Sequence, residues 1–263
     1  MLIGKGGPAA TSISTADAAS VTVRGKDLCS DLMGRLSFTS YFYLLLTGRE
    51  PTETQCYFLD LLLVAIAEHG LVPTNQAARM TYAADPSSLQ GAVAAGILGC
   101  GTVVLGTSEF CGRFLAEAGK KISEQGLGRA EAVKLIVAEI RAAGGKVPGF
   151  GHPIHKPIDP RAARIFELAD AKGVSGTYVG IAREATKAIE TVWGKPLPMN
   201  VSMAIAAVLL DLDFPMAMIK AIPILARTGG LLAHLAEEQE RPIGFLMAAH
   251  AEEAISYQPE AGP

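Results

Sequence analysis

Apolar residues at helical spacing, interrupted repeatedly by glycine and proline, constrain this chain more than any other feature. Phe58, Leu61, Leu62, Ala65 and Ile66 fall on one helical face before Gly70, and Val133, Ile136, Val137 and Ile140 do the same before Gly144 and Gly145. Alternating, strand-like runs are short wherever they occur, which predicts an all-α architecture in which any sheet is minor. Gly126, Gly128, Gly173 and Pro215 supply further breaks, and no internal repeat, low-complexity tract or long linker interrupts the pattern. At 263 residues, 49% hydrophobic and only 6% aromatic, the chain can bury a large helical core in one or two domains.

The same composition narrows function by exclusion. A net charge of −3 without a basic stripe argues against a nucleic-acid partner. The cysteines, Cys29, Cys56, Cys100 and Cys111, have neither CxxC pairing nor metal-like spacing to histidine, so the expectation is reduced, buried thiols in a cytoplasmic protein with no bound metal. Residues 91–107 are uncharged, yet they are glycine-rich and flanked by polar sequence, and no charged segment followed by an apolar one opens the chain. A buried core helix is expected there, around residues 88–105, and no membrane span.

Chemistry concentrates in residues 148–164, where four prolines and two glycines restrict a loop carrying His152, His155, Lys156 and Arg161. Asp159-Pro160 reads as an N-cap followed by proline at the first helical position, so a helix should begin at Pro160. Arg161 then lies in a first turn where backbone N–H groups and the helix dipole already favour negative charge, and its guanidinium can grip a carboxylate with two hydrogen bonds. His152, at the other end of the loop, can move a proton near neutral pH. The pattern predicts a site for a small anion.

This stretch resembles the signature of the citrate synthase superfamily, in which Gly-His is followed by a basic residue and then Asp-Pro-Arg. The resemblance continues in order through Arg24-Gly25 with Asp27-Leu28, Leu36-Ser37-Phe38, the run Tyr43 to Thr52, Ala67-Glu68-His69-Gly70, the run Gly91 to Gly96, Asn200-Val201, and the run Ala226 to His234. It implies a large helical domain of residues 1–106 and 208–263, a small helical domain of residues 107–207, a site in the cleft between them, and a homodimer or higher homo-oligomer. Residue by residue, it implies that His69, Arg161 and Arg227 bind the oxaloacetate- or citrate-type acid and that His152 exchanges a proton with the oxygen of the central carbon. Lys156, with Gly149 and Gly151 of the same loop, falls on the coenzyme A side.

Two positions depart from the condensing enzymes of the family. Their His-Gly-Gly-Ala-Asn-Glu run, whose histidine polarises the acetyl thioester carbonyl, reads Val104-Leu105-Gly106-Thr107-Ser108-Glu109 here. Valine donates no hydrogen bond, which disfavours a synthase and matches the citryl-CoA lyase branch, including the C-terminal module of ATP-citrate lyase. The ending Ile255-Ser256-Tyr257-Gln258-Pro259-Glu260 is similar to that branch as well. Where synthases and lyases both carry an aspartate after Asn-Val, this chain has Ser202, a poor general base; a water held by Ser202, a substitute such as His155 or Glu109, or a substrate needing no such transfer are all open. Pro153 and His155 replace an arginine and a tyrosine that are frequent in the family, so the pocket should be reshaped.

The resemblance thus implies a C–C lyase that cleaves citryl-CoA, or a related 3-hydroxy-3-carboxyacyl-CoA, into acetyl-CoA and a 2-oxo acid such as oxaloacetate. His152 would take the hydroxyl proton, with Ser202 at the second catalytic position. The alternatives are a citrate or methylcitrate synthase-like condensing enzyme, which Val104 and Ser202 oppose, and a CoA- or citrate-binding protein without catalysis.

Overall fold

The computed structural model describes residues 9–152 and 154–259; Pro153 and Glu260, singled out above, lie outside the described residues. The expected all-α architecture is what the chain adopts. Among the described residues there are eleven α-helices and one small antiparallel sheet of order β1-β2-β3, formed by Ser14–Ala16, Val21–Val23 and Lys26–Asp27. The chain divides into two compact units, Met1–Asp60 and Leu61–Pro263.

In the first unit the sheet leads into a short π-helical turn, Leu28–Leu32, and then α1, Phe38–Thr47, capped by the Ser37 hydroxyl. Val23, Leu32 and Leu44 form its buried cluster, with Leu28, Leu36 and Tyr41 packed against it. Arg24 ties the sheet to α1 by donating from Nε and Nη2 to the Leu45 carbonyl, at 3.2 and 2.5 Å. Helix α2, Glu53–Ala67, starts in this unit and buries Phe58, Leu62 and Ile66 at the spacing read from sequence.

In the second unit the helices pack in two groups. Helices α3 (Pro73–Ala84), α4 (Leu89–Leu98), α10 (Ala221–Glu240) and α11 (Gly244–Ala254) contact one another. Their shared core is Ala78, Tyr82, Ala92, Leu231 and Leu235. Gly96 permits the close approach, because a Cβ there would lie 2.7 Å from Leu231 Cδ1 and 3.0 Å from the Thr74 carbonyl. Helices α5 (Thr107–Gln125), α6 (Arg129–Ala142), α7 (Pro160–Ala171) and α8 (Thr177–Trp193) gather with α9 (Val201–Asp211), which is buried along most of its length. Asp211, at the end of α9, accepts backbone N–H groups of Gly176, Tyr178 and Val179, each at 2.9 Å, and so caps α8 from outside.

Two expectations need correction. The apolar segment expected to be one helix over 88–105 ends at Leu98. The chain then turns through Gly99 and Gly101, with Leu105 at a left-handed φ of 64°, before α5 begins. Leu98, at the end of α4, and Val103, in the turn after it, are each 85% accessible. Cys100 and Cys111 are buried free thiols as expected, but Cys29 is exposed and Cys56 only half-buried, because both lie on surface-facing turns and helix faces of the first unit. The segment Met216–Glu240, which ends in α10, is long and apolar enough to cross a bilayer by length and composition. It nevertheless carries Arg227, His234 and Glu238 into polar contacts with neighbouring helices, as a core helix does.

Candidate active site

A cavity of about 340 Å³ in the second unit is lined by residues from five separated parts of the chain: His69 and Val72, the turn Val103 to Leu105, Gly151 with His152, Ile154 and Arg161, then Asn200 to Ser202, and Arg227. Of the residues singled out from sequence, His69, Gly151, His152, Arg161, Ser202 and Arg227 all line it. Lys156 is exposed and Gly149 is buried, and neither is on its wall. Glu109 pairs with Arg113 at 2.5 Å and is likewise off the wall. Val104 is on the wall.

The loop is held in place from three sides. Its Gly149–Gly151 part runs beside Pro198–Asn200: Gly151 N–H donates to Pro198 O at 2.8 Å, Asn200 N–H to Gly149 O at 2.9 Å, and Asn200 Nδ2 to Gly151 O at 3.2 Å. Gly149 sits at φ 78°, where a Cβ would meet Cys111 Sγ and Met203 Cβ at 2.7 Å, so only glycine fits. At the far end Asp159 caps α7 as expected, accepting Arg161 N–H at 3.0 Å. It is fully buried and also accepts Val201 N–H at 3.0 Å and the Arg161 guanidinium at Nε (3.1 Å) and Nη2 (2.9 Å). Burial alone would raise its carboxyl, but the Arg161 contacts and the backbone donors hold it below the usual carboxylate range. One buried carboxylate thus joins the N-termini of α7 and α9, and both helix ends open toward the cavity.

Three imidazoles cluster at the mouth of this arrangement. His69 Nε2 and His155 Nε2 are 3.0 Å apart, and the His152 and His155 rings lie 4.4 Å apart at a tilt of 32°. Burial, followed by the Arg161 guanidinium and His155, draws His69 below its ordinary pKa; burial, followed by His155, does the same to His152. His152 Nδ1 accepts two backbone N–H groups, from Ile154 at 3.1 Å and His155 at 2.9 Å. A neutral ring with Nδ1 so occupied carries its proton on Nε2 and is a hydrogen-bond donor there. The three rings bring one nitrogen each within 4.8 Å of the others, a spacing open to a metal ion. With its Nδ1 lone pair already in use, however, His152 could ligate through Nε2 only as an imidazolate, so the cluster does not fit a three-histidine metal centre.

Arg227, on α10, is 2% exposed and donates from Nη1 to Asn75 Oδ1 at 2.8 Å. Its buried Nε has no partner, and no carboxylate pairs with it among the described residues. Burial lowers its pKa, against a raising influence from Glu68. A buried guanidinium in this state is stabilised by an incoming anion.

Behind Arg227 lies a polar network that the sequence reading missed. Asn75 Nδ2 donates to Glu68 Oε1 at 3.0 Å and to Gly70 O at 2.7 Å, and Glu68 Oε1 accepts the N–H groups of His69 and Gly70 at 2.7 Å. His234 Nε2 lies 3.0 Å from Glu68 Oε2, and its Nδ1 lies 3.2 Å from Arg79 Nη1. Buried Arg79 pairs with Glu238 at 2.5 Å and with Glu237 at 2.7 Å. The available signal was four-residue spacing, Asn75 with Arg79 on α3 and His234 with Glu238 on α10, which puts each pair on one face of its helix.

The cavity therefore presents two guanidinium groups, Arg161 and Arg227, beside two imidazoles, His69 and His152, that burial holds below their ordinary pKa. Residues 9–244 match the model of the citrate synthase C-terminal domain, and the chain belongs to the citrate synthase family. A citrate synthase of Synechocystis is 31% identical over 210 residues, 78% of this chain and 50% of that protein; the chain spans about half the length of the curated relatives it matches. The structure of citryl-CoA lyase from Hydrogenobacter thermophilus superposes with a TM-score of 0.84 at 31% identity, covering 97% of this chain and 96% of that one. ATP citrate lyase from Methanothrix soehngenii, solved with citrate and coenzyme A, shares the fold at 22% identity and a TM-score of 0.78, over 98% of this chain and 43% of that one.

Proposed function

We propose that this protein is a citryl-CoA lyase, cleaving citryl-CoA or a related 3-hydroxy-3-carboxyacyl-CoA to acetyl-CoA and a 2-oxo acid such as oxaloacetate. The observation that carries this reading is Val104 on the cavity wall, within the apolar turn Val103 to Leu105, at the place where a condensing enzyme needs a donor to polarise acetyl-CoA. The two-way coverage of a citryl-CoA lyase of similar length supports it.

In cleavage the hydroxyl of the central carbon loses its proton, the bond from that carbon to the thioester methylene breaks, and the electron pair passes to the thioester as an enolate that is then protonated. Arg161 and Arg227 hold the carboxylates, Arg161 through the N–H groups that Asp159 does not use. His69 holds an oxygen of the acid. His152, with Nε2–H, is in the form that hydrogen-bonds the forming ketone; to accept the hydroxyl proton at Nε2 it must first carry its own proton on Nδ1, which breaks the two contacts to residues 154 and 155. Ser202 stands at the N-terminus of α9, where its hydroxyl and the helix end can hold the water that protonates the enolate. Coenzyme A is a substrate part here, with Lys156 and Gly151 on its side while Gly149 packs behind the loop, and the protein acts as a cytoplasmic homodimer. Domain crossings near residues 106 and 207 go with this reading; the grouping of α3, α4, α10 and α11 apart from α5 to α9 supports the first, while residue 207 falls within α9.

Product analysis separates this reading from a synthase. A lyase converts citryl-CoA to acetyl-CoA and oxaloacetate with no free thiol. Citrate and free coenzyme A from the same incubation would instead indicate thioester hydrolysis and a synthase-like enzyme.

A further inference from the structure

We infer that Asn75 is a positioning residue that keeps Arg227 charged and uncompensated for a substrate carboxylate, by standing as a neutral amide between Arg227 and Glu68; this rests on the reading of the cavity as a carboxylate site. Asn75 is fully buried, and its two ends face opposite charges. Oδ1 accepts from Arg227 Nη1 at 2.8 Å, while Nδ2 donates to Glu68 Oε1 at 3.0 Å and to Gly70 O at 2.7 Å. With a cation at Oδ1 and a carboxylate, a carbonyl and the His234 Nε2 at 2.8 Å around Nδ2, the amide is fixed with its oxygen toward Arg227. Glu68 is the acid that acts on Arg227 electrostatically, yet the two do not touch. The Glu68 carboxylate is occupied instead by the His69 and Gly70 N–H groups, by Asn75 and by His234.

The arrangement explains an otherwise costly feature. A buried arginine ordinarily finds a carboxylate, and an internal pair would stabilise the empty protein while removing the charge that an anionic ligand needs. An amide orients the guanidinium without neutralising it, and the unpartnered Nε stays available. Substitution of Asn75 therefore acts on ligand affinity through charge as well as through packing.

Citrate binding by isothermal titration tests this in the full-length protein. Asn75→Asp, nearly isosteric, supplies the internal carboxylate and should weaken citrate binding at least about tenfold, the loss expected when a charged hydrogen-bond donor is already taken. Asn75→Ala opens the way for Glu68 to reach Arg227 and should also weaken binding. Glu68→Gln, which keeps an oxygen for the His69 and Gly70 N–H groups, should recover most of that loss in the Asn75→Ala background. A purely structural role would give no recovery. Unchanged affinity in Asn75→Asp, or failure of the double variant to recover, overturns the inference while leaving the lyase reading intact. Binding that behaves as predicted without cleavage of citryl-CoA overturns the lyase reading alone. Absence of citrate binding by the unsubstituted protein overturns the inference whatever the cleavage assay gives.

Discussion

The reactive character of the site rests on two imidazoles that burial keeps neutral. Both His69 and His152 lie below their ordinary pKa, chiefly through desolvation, with Arg161 and His155 adding to the effect. In the unfolded chain each titrates near about 6.5, so as pH falls through that value the unfolded state takes up protons that the folded state refuses. Their contribution to stability is flat above about pH 6.5 and declines below it toward the lower folded values. Urea-unfolding midpoints measured between pH 7.5 and 5.5 should fall on acidification. The double variant His69→Gln, His152→Gln should lose that part of the decline, and an identical pH dependence in the variant would refute the assignment. At this scale the sequence disclosed residues with local signatures: His152 between glycine and proline, and Arg161 after Asp-Pro. The roles of Asn75 and Arg79 escaped because the partners that define them lie far along the chain, Asn75 and Arg227 being 152 positions apart and Arg79 and Glu238 159.

Among the elements, the start of α7 was legible because an N-cap and a first-turn proline are local chemistry. What local chemistry does not convey is that the same Asp159 carboxylate also caps Val201 at α9 and anchors the Arg161 guanidinium. Its removal leaves a partly buried arginine unpaired, the α7 N-terminus without its cap and the Val201 N–H of α9 without its acceptor, while Asn200 still caps Ser202. Asp159→Ala should therefore cost about 3 kcal/mol, which combines a cap with the loss of one member of a buried pair. Asp159→Asn, which keeps an acceptor for the N–H groups, should cost less; chemical denaturation of the two variants measures the difference. The 88–105 segment shows the opposite failure. Apolar composition alone predicted an unbroken helix, while glycines at 99 and 101 and the left-handed Leu105 end it and turn Val104 onto the cavity wall.

For the molecule as a whole, the fold class followed from periodicity and the family from ordered motifs, whereas assembly is a matter of surface. Leu98 and Val103 each expose 85% of their area, and apolar side chains this exposed on adjacent turns are a ready site for self-association. Sedimentation should give a dimer, and Leu98→Glu should shift it toward monomer; a monomeric parent protein would contradict the proposed assembly. The central claim is that this cavity breaks a carbon–carbon bond. Purified protein given synthetic citryl-CoA should release oxaloacetate, followed by NADH loss through malate dehydrogenase, and His152→Ala should slow that release by about 10²- to 10⁴-fold. Tight citrate binding with no oxaloacetate released, or release that His152→Ala leaves unchanged, would contradict it.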